Sequence, residues 1–204
     1  MSCTVHLVRH GEVHNPQHVM YGRLPGFRLS ERGQEQARSA ASWLQGRPLN
    51  ALYSSPMQRA RETVAILAAA GASLPLEVDE RLNEVYTPWQ GRPLLELLRR
   101  DWDMYSGNGP EFEQAEDVAR RGQDFLAAMR CTWPGGEVAA VTHGDIIAFS
   151  IVLAAGDPPE VKLKAHMPNY GVSDDYPETA SINTFHWRTE DPEELPSFTY
   201  LRPW

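Results

Sequence analysis

Three short segments hold the residue types that can do chemistry on an anion. Arg9-His10-Gly11-Glu12 follows the strand-like residues 5–8, and Ser54-Ser55-Pro56 follows a second such run, with Arg59 one turn further on. His143-Gly144-Asp145 follows the apolar residues 138–142. A guanidinium grips an oxyanion bidentately and keeps its charge at any working pH. An imidazole can serve as nucleophile or acid near neutrality. Two arginines and two histidines brought together would receive a compact dianion, and phosphate is the reading they support. Taken singly, each has a plain alternative: His10 as a satisfied turn histidine, Arg59 as a solvated helix arginine, and His143 hydrogen-bonded to a nearby carbonyl. Placement at three successive strand ends weakens those alternatives jointly.

The elements that must position these residues alternate. Residues 5–8, 51–54, 138–142 and 181–187 read as strands. A helix starts at the N-cap Ser30, continues along the stripe Ala37, Ala40, Ala41 and Leu44, and stops at Gly46. Ser55 reads as the N-cap of a second helix, with Pro56 in its first position, running to Gly71. Helices around Val118 to Met129 and from Asp145 to Ala155 complete the pattern. The expected fold is α/β: a doubly wound, mostly parallel sheet with helices on both faces, binding its ligand beyond the carboxyl ends of the strands. Helix N-termini there would add donors for an anion. Residues 85–116 are rich in Trp, Gly and charge, and read as a cap inserted over those strand ends. Residues 157–178 read as a long surface loop, and the tail 188–204 carries no clear pattern. The expected organisation is one domain over residues 1–204.

Composition narrows the partners. With Lys plus Arg at 19 against 27 Asp plus Glu, the formal net charge is −8, opposite in sign to a typical nucleic-acid or anionic-membrane binder. A hydrophobic fraction of 42% and 204 residues suffice for a core without staples. Cys3 and Cys131 form no framework, no apolar run approaches the ~20 residues of a membrane span, and no leader is evident. A cytoplasmic protein acting on a small phosphorylated metabolite is expected, with no nucleic-acid or membrane partner. His6, His10, His14 and His18 recur every fourth residue, but Gly11 and Asn15-Pro16 argue against the helix that a metal-ligand stack would need.

Leu7-Val8-Arg9-His10-Gly11-Glu12 resembles the signature of the histidine phosphatase superfamily, also called phosphoglycerate-mutase-like. Leu29-Ser30-Glu31-Arg32-Gly33, Ser54 through Arg59-Ala60, Leu82-Asn83-Glu84 with Trp89-Gln90-Gly91, and Val141-Thr142-His143-Gly144 resemble its further elements in the right order. The resemblance implies His10 as a phosphorylated nucleophile, His143, Arg9 and Arg59 around the phosphoryl group, and Glu84 as the general acid. It implies no metal and no organic cofactor. A carboxyl beneath a cap is expected to have a raised pKa. Asn15 carries over as a phosphate contact, one place before Pro16, which stands where the family often has Asn. Arg23, in the loop Tyr21-Gly22-Arg23, is a candidate substrate contact. A phosphatase acting on a small phosphate monoester is favoured, because the cap has Arg92, Arg99 and Arg100 but lacks the family's mutase cap motif. A phosphoglycerate-mutase-type phosphotransferase and a catalytically weak phospholigand-binding protein are the alternatives. Trp89, Trp102, Tyr105 and Phe112 suggest an aromatic or apolar element beside the phosphate.

Overall fold

The computed structural model describes residues 1–71 and 74–204. A six-stranded sheet has the order β3-β2-β4-β1-β5-β6. Four strands run parallel: β1 (Cys3–Arg9), β2 (Leu49–Ser54), β3 (Leu76–Val78) and β4 (Glu137–Thr142). The strands β5 (Ile182–Trp187) and β6 (Ser197–Leu201) add antiparallel at the β1 edge. The helices are α1 (Glu31–Leu44), α2 (Gln58–Ala69), the short α3 (Leu94–Leu98), α4 (Ala115–Thr132) and α5 (Gly144–Ala154).

The period-2 alternation of the strands divides the core. Val5, Leu7, Val138 and Ala140 face a cluster with Phe125 and Met129 of α4 and Ile147 and Ile151 of α5. Val8, Ala139 and Val141 face the opposite cluster, with Ala40 and Ala41 of α1 and Val64 and Leu67 of α2. A sheet covered on both faces needs apolar residues at every position, which is why β4 reads as an unbroken greasy run.

The α1 boundaries follow local chemistry as expected: Ser30 Oγ accepts from Gly33 N at 2.9 Å, and Gly46 leaves the helix with φ +81. The α2 start does not. Its N-cap is Met57, with Ser55 and Pro56 in the turn before it, and the Ser55 hydroxyl accepts from Met57 N at 3.3 Å while lying 2.8 Å from His143 Nε2. Residues 157–178, read as a loop, contain two short 3₁₀ turns, Val161–Ala165 and Met167–Tyr170, that bury Lys164 and Met167. The tail contributes β6, which pairs with β5 along the sheet edge. Met20, Val85, Trp89, Leu97, Met104 and Tyr105 pack as a third cluster against α4 and α5.

Candidate active site

Strand register brings the separated segments to one edge. Arg9 of β1 pairs with Thr142 of β4, and Ser54 of β2 pairs with Val141. The residues that follow, His10, Ser55 and His143, therefore emerge side by side beyond the carboxyl ends of three adjacent strands. His10 N and Ser55 N still bond to the Thr142 and Val141 carbonyls, so the ladder continues into the site.

The turn after β1 depends on close backbone approach. A Cβ at Gly11 would lie 2.3 Å from Gly33 O, and one at Gly33 would lie 2.0 Å from Glu12 O. Only two interlocked glycines let the nucleophile loop rest on the first turn of α1. Gly11 N donates to Thr63 Oγ1 at 3.1 Å, which ties the same loop to α2.

Arg59 is the hub, although it is 1% exposed. Its Nε donates to His10 Nε2 at 3.2 Å, and its NH2 donates to Gly22 O at 2.9 Å and to Glu84 Oε2 at 3.1 Å. The same NH2 lies 3.1 Å from His143 Nδ1. The guanidinium also sits 4.6 Å from the centre of the Tyr21 ring. His10 and His143 face each other with ring centroids 5.2 Å apart. The two arginines and two histidines do meet. Arg9 donates to Pro177 O at 2.6 Å and lines the same cavity, and its Nε is buried without a partner among the described residues, a donor that an oxyanion would satisfy.

His10 has a fixed tautomer. A carbonyl only accepts, so the 2.8 Å contact between His10 Nδ1 and Gly11 O places the proton on Nδ1 and the lone pair on Nε2. Burial, and next the Arg59 charge, hold His10 well below its ordinary 6.5, so the ring is neutral at pH 7. Burial likewise lowers His143 to about 4, despite the opposing pull of Glu84. The raised pKa expected of Glu84 is not found. Burial does push it up, but His143, Arg59 and the Val85 N–H outweigh it, and the carboxyl lies well below 4.5. His143 Nδ1 lies 3.3 Å from Glu84 Oε2, and the permanent Arg59 charge lies 3.1 Å from the same oxygen.

Two expected contacts are placed elsewhere. Asn15 closes its own loop, its amide donating to Val19 O at 2.9 Å and accepting from Val19 N at 3.2 Å. The Arg23 head is held by Glu84 O at 2.7 Å and Glu113 Oε2 at 2.9 Å, so it braces the Glu84 backbone. Of the four cap aromatics, only Trp102 lines the cavity. Trp89 is buried between Arg92 and Arg100, Tyr105 donates to Asp145, and Phe112 packs on Tyr86.

Sequence reasoning put Ser55 and Asp145 in the strand-end segments but gave neither a site role; Ser55 Oγ lies 2.8 Å from His143 Nε2. Ser55 had a signal, since it follows β2 as His10 follows β1. Asp145 Oδ2 accepts from Lys164 Nζ at 2.8 Å and from the Tyr105 hydroxyl at 2.5 Å, and Oδ1 accepts from the Tyr176 hydroxyl. Tyr176 presses on the start of α5, where a Cβ at Gly144 would lie 2.5 Å from its ring.

Comparison with known proteins agrees with this geometry. The model of the histidine phosphatase superfamily (branch 1) matches residues 5–185. The chain belongs to the histidine phosphatase superfamily. Among curated relatives, the uncharacterized protein Rv0525 of Mycobacterium tuberculosis is 40% identical over 146 residues, 68% of this chain and 72% of that protein. The Bacillus subtilis phosphatase PhoE is 30% identical over 76% of this chain and 79% of its own. The solved mycobacterial glucosyl-3-phosphoglycerate phosphatase Rv2419c superposes with a TM-score of 0.76 at 26% identity, over 98% of this chain and 97% of that one. The Rv2419c structure shares this doubly wound α/β fold. Among the described residues no helix is long and apolar enough to cross a membrane.

His10, Glu84 and His143 also offer donor atoms within 4.8 Å of one another, a spacing that would suit a metal ion. The Arg59 guanidinium lies among these donors, 3.2 Å from His10 Nε2 and 3.1 Å from both Glu84 Oε2 and His143 Nδ1. A fixed cation already fills the position, so the cluster does not fit a metal as arranged.

Proposed function

We propose that this histidine phosphatase superfamily member hydrolyses a small phosphate monoester through a phosphohistidine on His10, without a metal ion. The observation that carries the reading is the neutral, Nε2-unprotonated His10 in hydrogen-bond contact with Arg59. A lone pair on Nε2 is what an in-line attack on phosphorus requires, and the guanidinium beside it is a bidentate receptor for the phosphoryl oxygens. A cavity of about 460 Å³ over His10, Arg9 and Glu84 suits a small metabolite.

In the first half-reaction, Nε2 forms the N–P bond as the P–O bond to the leaving group breaks. Glu84 gives its proton to the departing alkoxide. In the second, Glu84 takes a proton from water as the water oxygen attacks phosphorus and the N–P bond breaks, releasing phosphate and restoring neutral His10. Arg9, Arg59 and His143 stabilise the charge on the transferring oxygens.

Glu84 is ionised before substrate arrives, so its proton must come with the ligand. A dianion that draws Arg59 onto its own oxygens removes the partner holding the carboxyl down and places negative charge nearby, and both effects raise the Glu84 pKa.

The test is chemical trapping. Brief incubation with a ³²P-labelled ester and an acid-free denaturing quench is expected to give a base-stable, acid-labile phosphoprotein that the His10→Ala variant does not form. Undiminished turnover by His10→Ala would end the proposal.

A further inference from the structure

The cavity above His10 is unevenly charged from floor to mouth. Arg9 lines its floor, and the buried Arg59 lies directly behind His10, its Nε 3.2 Å from His10 Nε2. Lys164 is buried in its wall, but its Nζ lies 2.8 Å from Asp145 Oδ2, so its charge is neutralised inside the protein. The cap arginines do not reach in. Arg92 pairs with Glu96 and stacks 4.2 Å from the Trp89 ring centre, and Arg100 donates to Ser106 O. Beyond the phosphate cradle, no unpaired cation lines the cavity among the described residues.

Its mouth holds Asp101 and Asp175, both exposed, with no hydrogen-bond or ion-pair partner among the described residues. Met20, Leu94, Met104 and the Trp102 indole form an apolar wall between floor and mouth. The turn that presents Asp101 and Trp102 ends α3: Asp101 N donates to Leu98 O at 3.2 Å and Trp102 N to Leu97 O at 2.9 Å. That pattern favours glycine at the left-handed position, yet Asp101 occupies it with φ +51 and Trp102 follows with φ +60.

We infer that the substrate's leaving alcohol has an apolar body lying along Trp102 and a positive charge toward Asp101 and Asp175, with no second anionic group. The inference rests on the phosphatase reading above. Once a phosphate dianion takes Arg9 and Arg59, a further carboxylate or phosphate would meet two unpaired carboxylates and no unpaired cation. An ammonium would be attracted by both, and an indole face is a good partner for it. Asp101 and Asp175 are thus specificity-determining residues.

Three aryl esters test this: 4-methylphenyl, 4-(aminomethyl)phenyl and 4-(carboxymethyl)phenyl phosphate, whose leaving phenols are alike and whose remote charges differ. The expected order of kcat/KM is aminomethyl, then methyl, then carboxymethyl, with about tenfold between the extremes. Asp101→Asn and Asp175→Asn should each narrow that ratio, and the double variant should narrow it most; asparagine keeps the side-chain shape and tolerates the left-handed backbone. Asp101→Gly should narrow it too while raising Tm, which separates selectivity from fold. A carboxymethyl ester turned over as fast as the methyl ester, or an unchanged ratio in the double variant, overturns the inference and leaves the phosphatase reading standing. No turnover of any of the three esters overturns both.

Discussion

The Nε–H of Arg59 donates to the Nε2 lone pair of His10 over 3.2 Å, so the group that would receive the phosphate already occupies the atom that would attack it. The same guanidinium holds Glu84 ionised and braces His143. One buried cation therefore sets the resting state of nucleophile, carboxyl and second imidazole together, and a phosphate that recruits it would release all three.

Arg59→Lys tests whether geometry or charge alone matters. A lysine ammonium is a single point on a shorter reach, and it cannot bond to His10, Glu84 and Gly22 O from one planar group. kcat/KM should fall by about two orders of magnitude or more, with a smaller loss of stability than in Arg59→Ala, where a buried Glu84 loses its partner at a cost of about 3–5 kcal/mol. Steady-state kinetics and thermal melts of the two variants supply the comparison, and near-wild-type kinetics for Arg59→Lys would contradict it.

Glu84 is held well below 4.5 in the free site. Binding of orthophosphate or vanadate at pH 7 should therefore be accompanied by proton uptake. Calorimetric titration in buffers of different ionisation enthalpy measures it, and the uptake should disappear in Glu84→Gln. Wild-type binding with no proton exchange would show that Glu84 stays ionised with ligand present.

Buried neutral imidazoles make stability depend on pH in one direction. His10 titrates well below 6.5 in the folded chain and His143 at about 4, whereas the unfolded chain takes up protons near 6.5. Their contribution is fully present above about pH 6.5 and declines as pH falls toward 4, and Glu84, held below 4.5, acts in the same direction at the lower end. Each histidine adds up to about 1.4 kcal/mol per pH unit within that window. Tm should fall steadily from pH 7 to 4.5, and His143→Gln should flatten part of the slope. A flat wild-type profile would contradict the buried neutral state.

Gly11→Ala would force a Cβ to 2.3 Å from Gly33 O, backbone against backbone. A loss of about 3 kcal/mol is expected, with activity falling further because the loop carries His10. Adding Gly33→Ala should worsen the defect, since its own Cβ would meet Glu12 O at 2.0 Å. A Gly11→Ala protein with wild-type Tm would show that the interlock is looser than drawn.

Much was legible in the sequence because it depends on local patterns. The alternation of greasy strands with capped helices specified a sheet covered on both faces, and Arg9, His10, Arg59 and His143 were marked by falling at or just beyond strand ends or one helical turn further on. Strand β6 was not legible: an edge strand in a proline-flanked tail exists through its pairing with β5, a partner that only the assembled sheet supplies. The placements of Asn15 and Arg23 were also out of reach, since each is decided by a nearby acceptor that local spacing does not reveal: Val19 O for Asn15, and the Glu84 carbonyl and Glu113 for Arg23.

The sequence alone determined which side chains gather at the strand ends, because register and period 2 follow from the chain's own alternation. Only the tertiary structure decided their charge states. Desolvation would have raised the Glu84 pKa, but His143, 59 residues later, and a guanidinium 3.1 Å away, contributed by a helix 25 residues earlier, together reverse the shift. Electrostatics at that range depends on three-dimensional neighbours rather than on spacing along the chain.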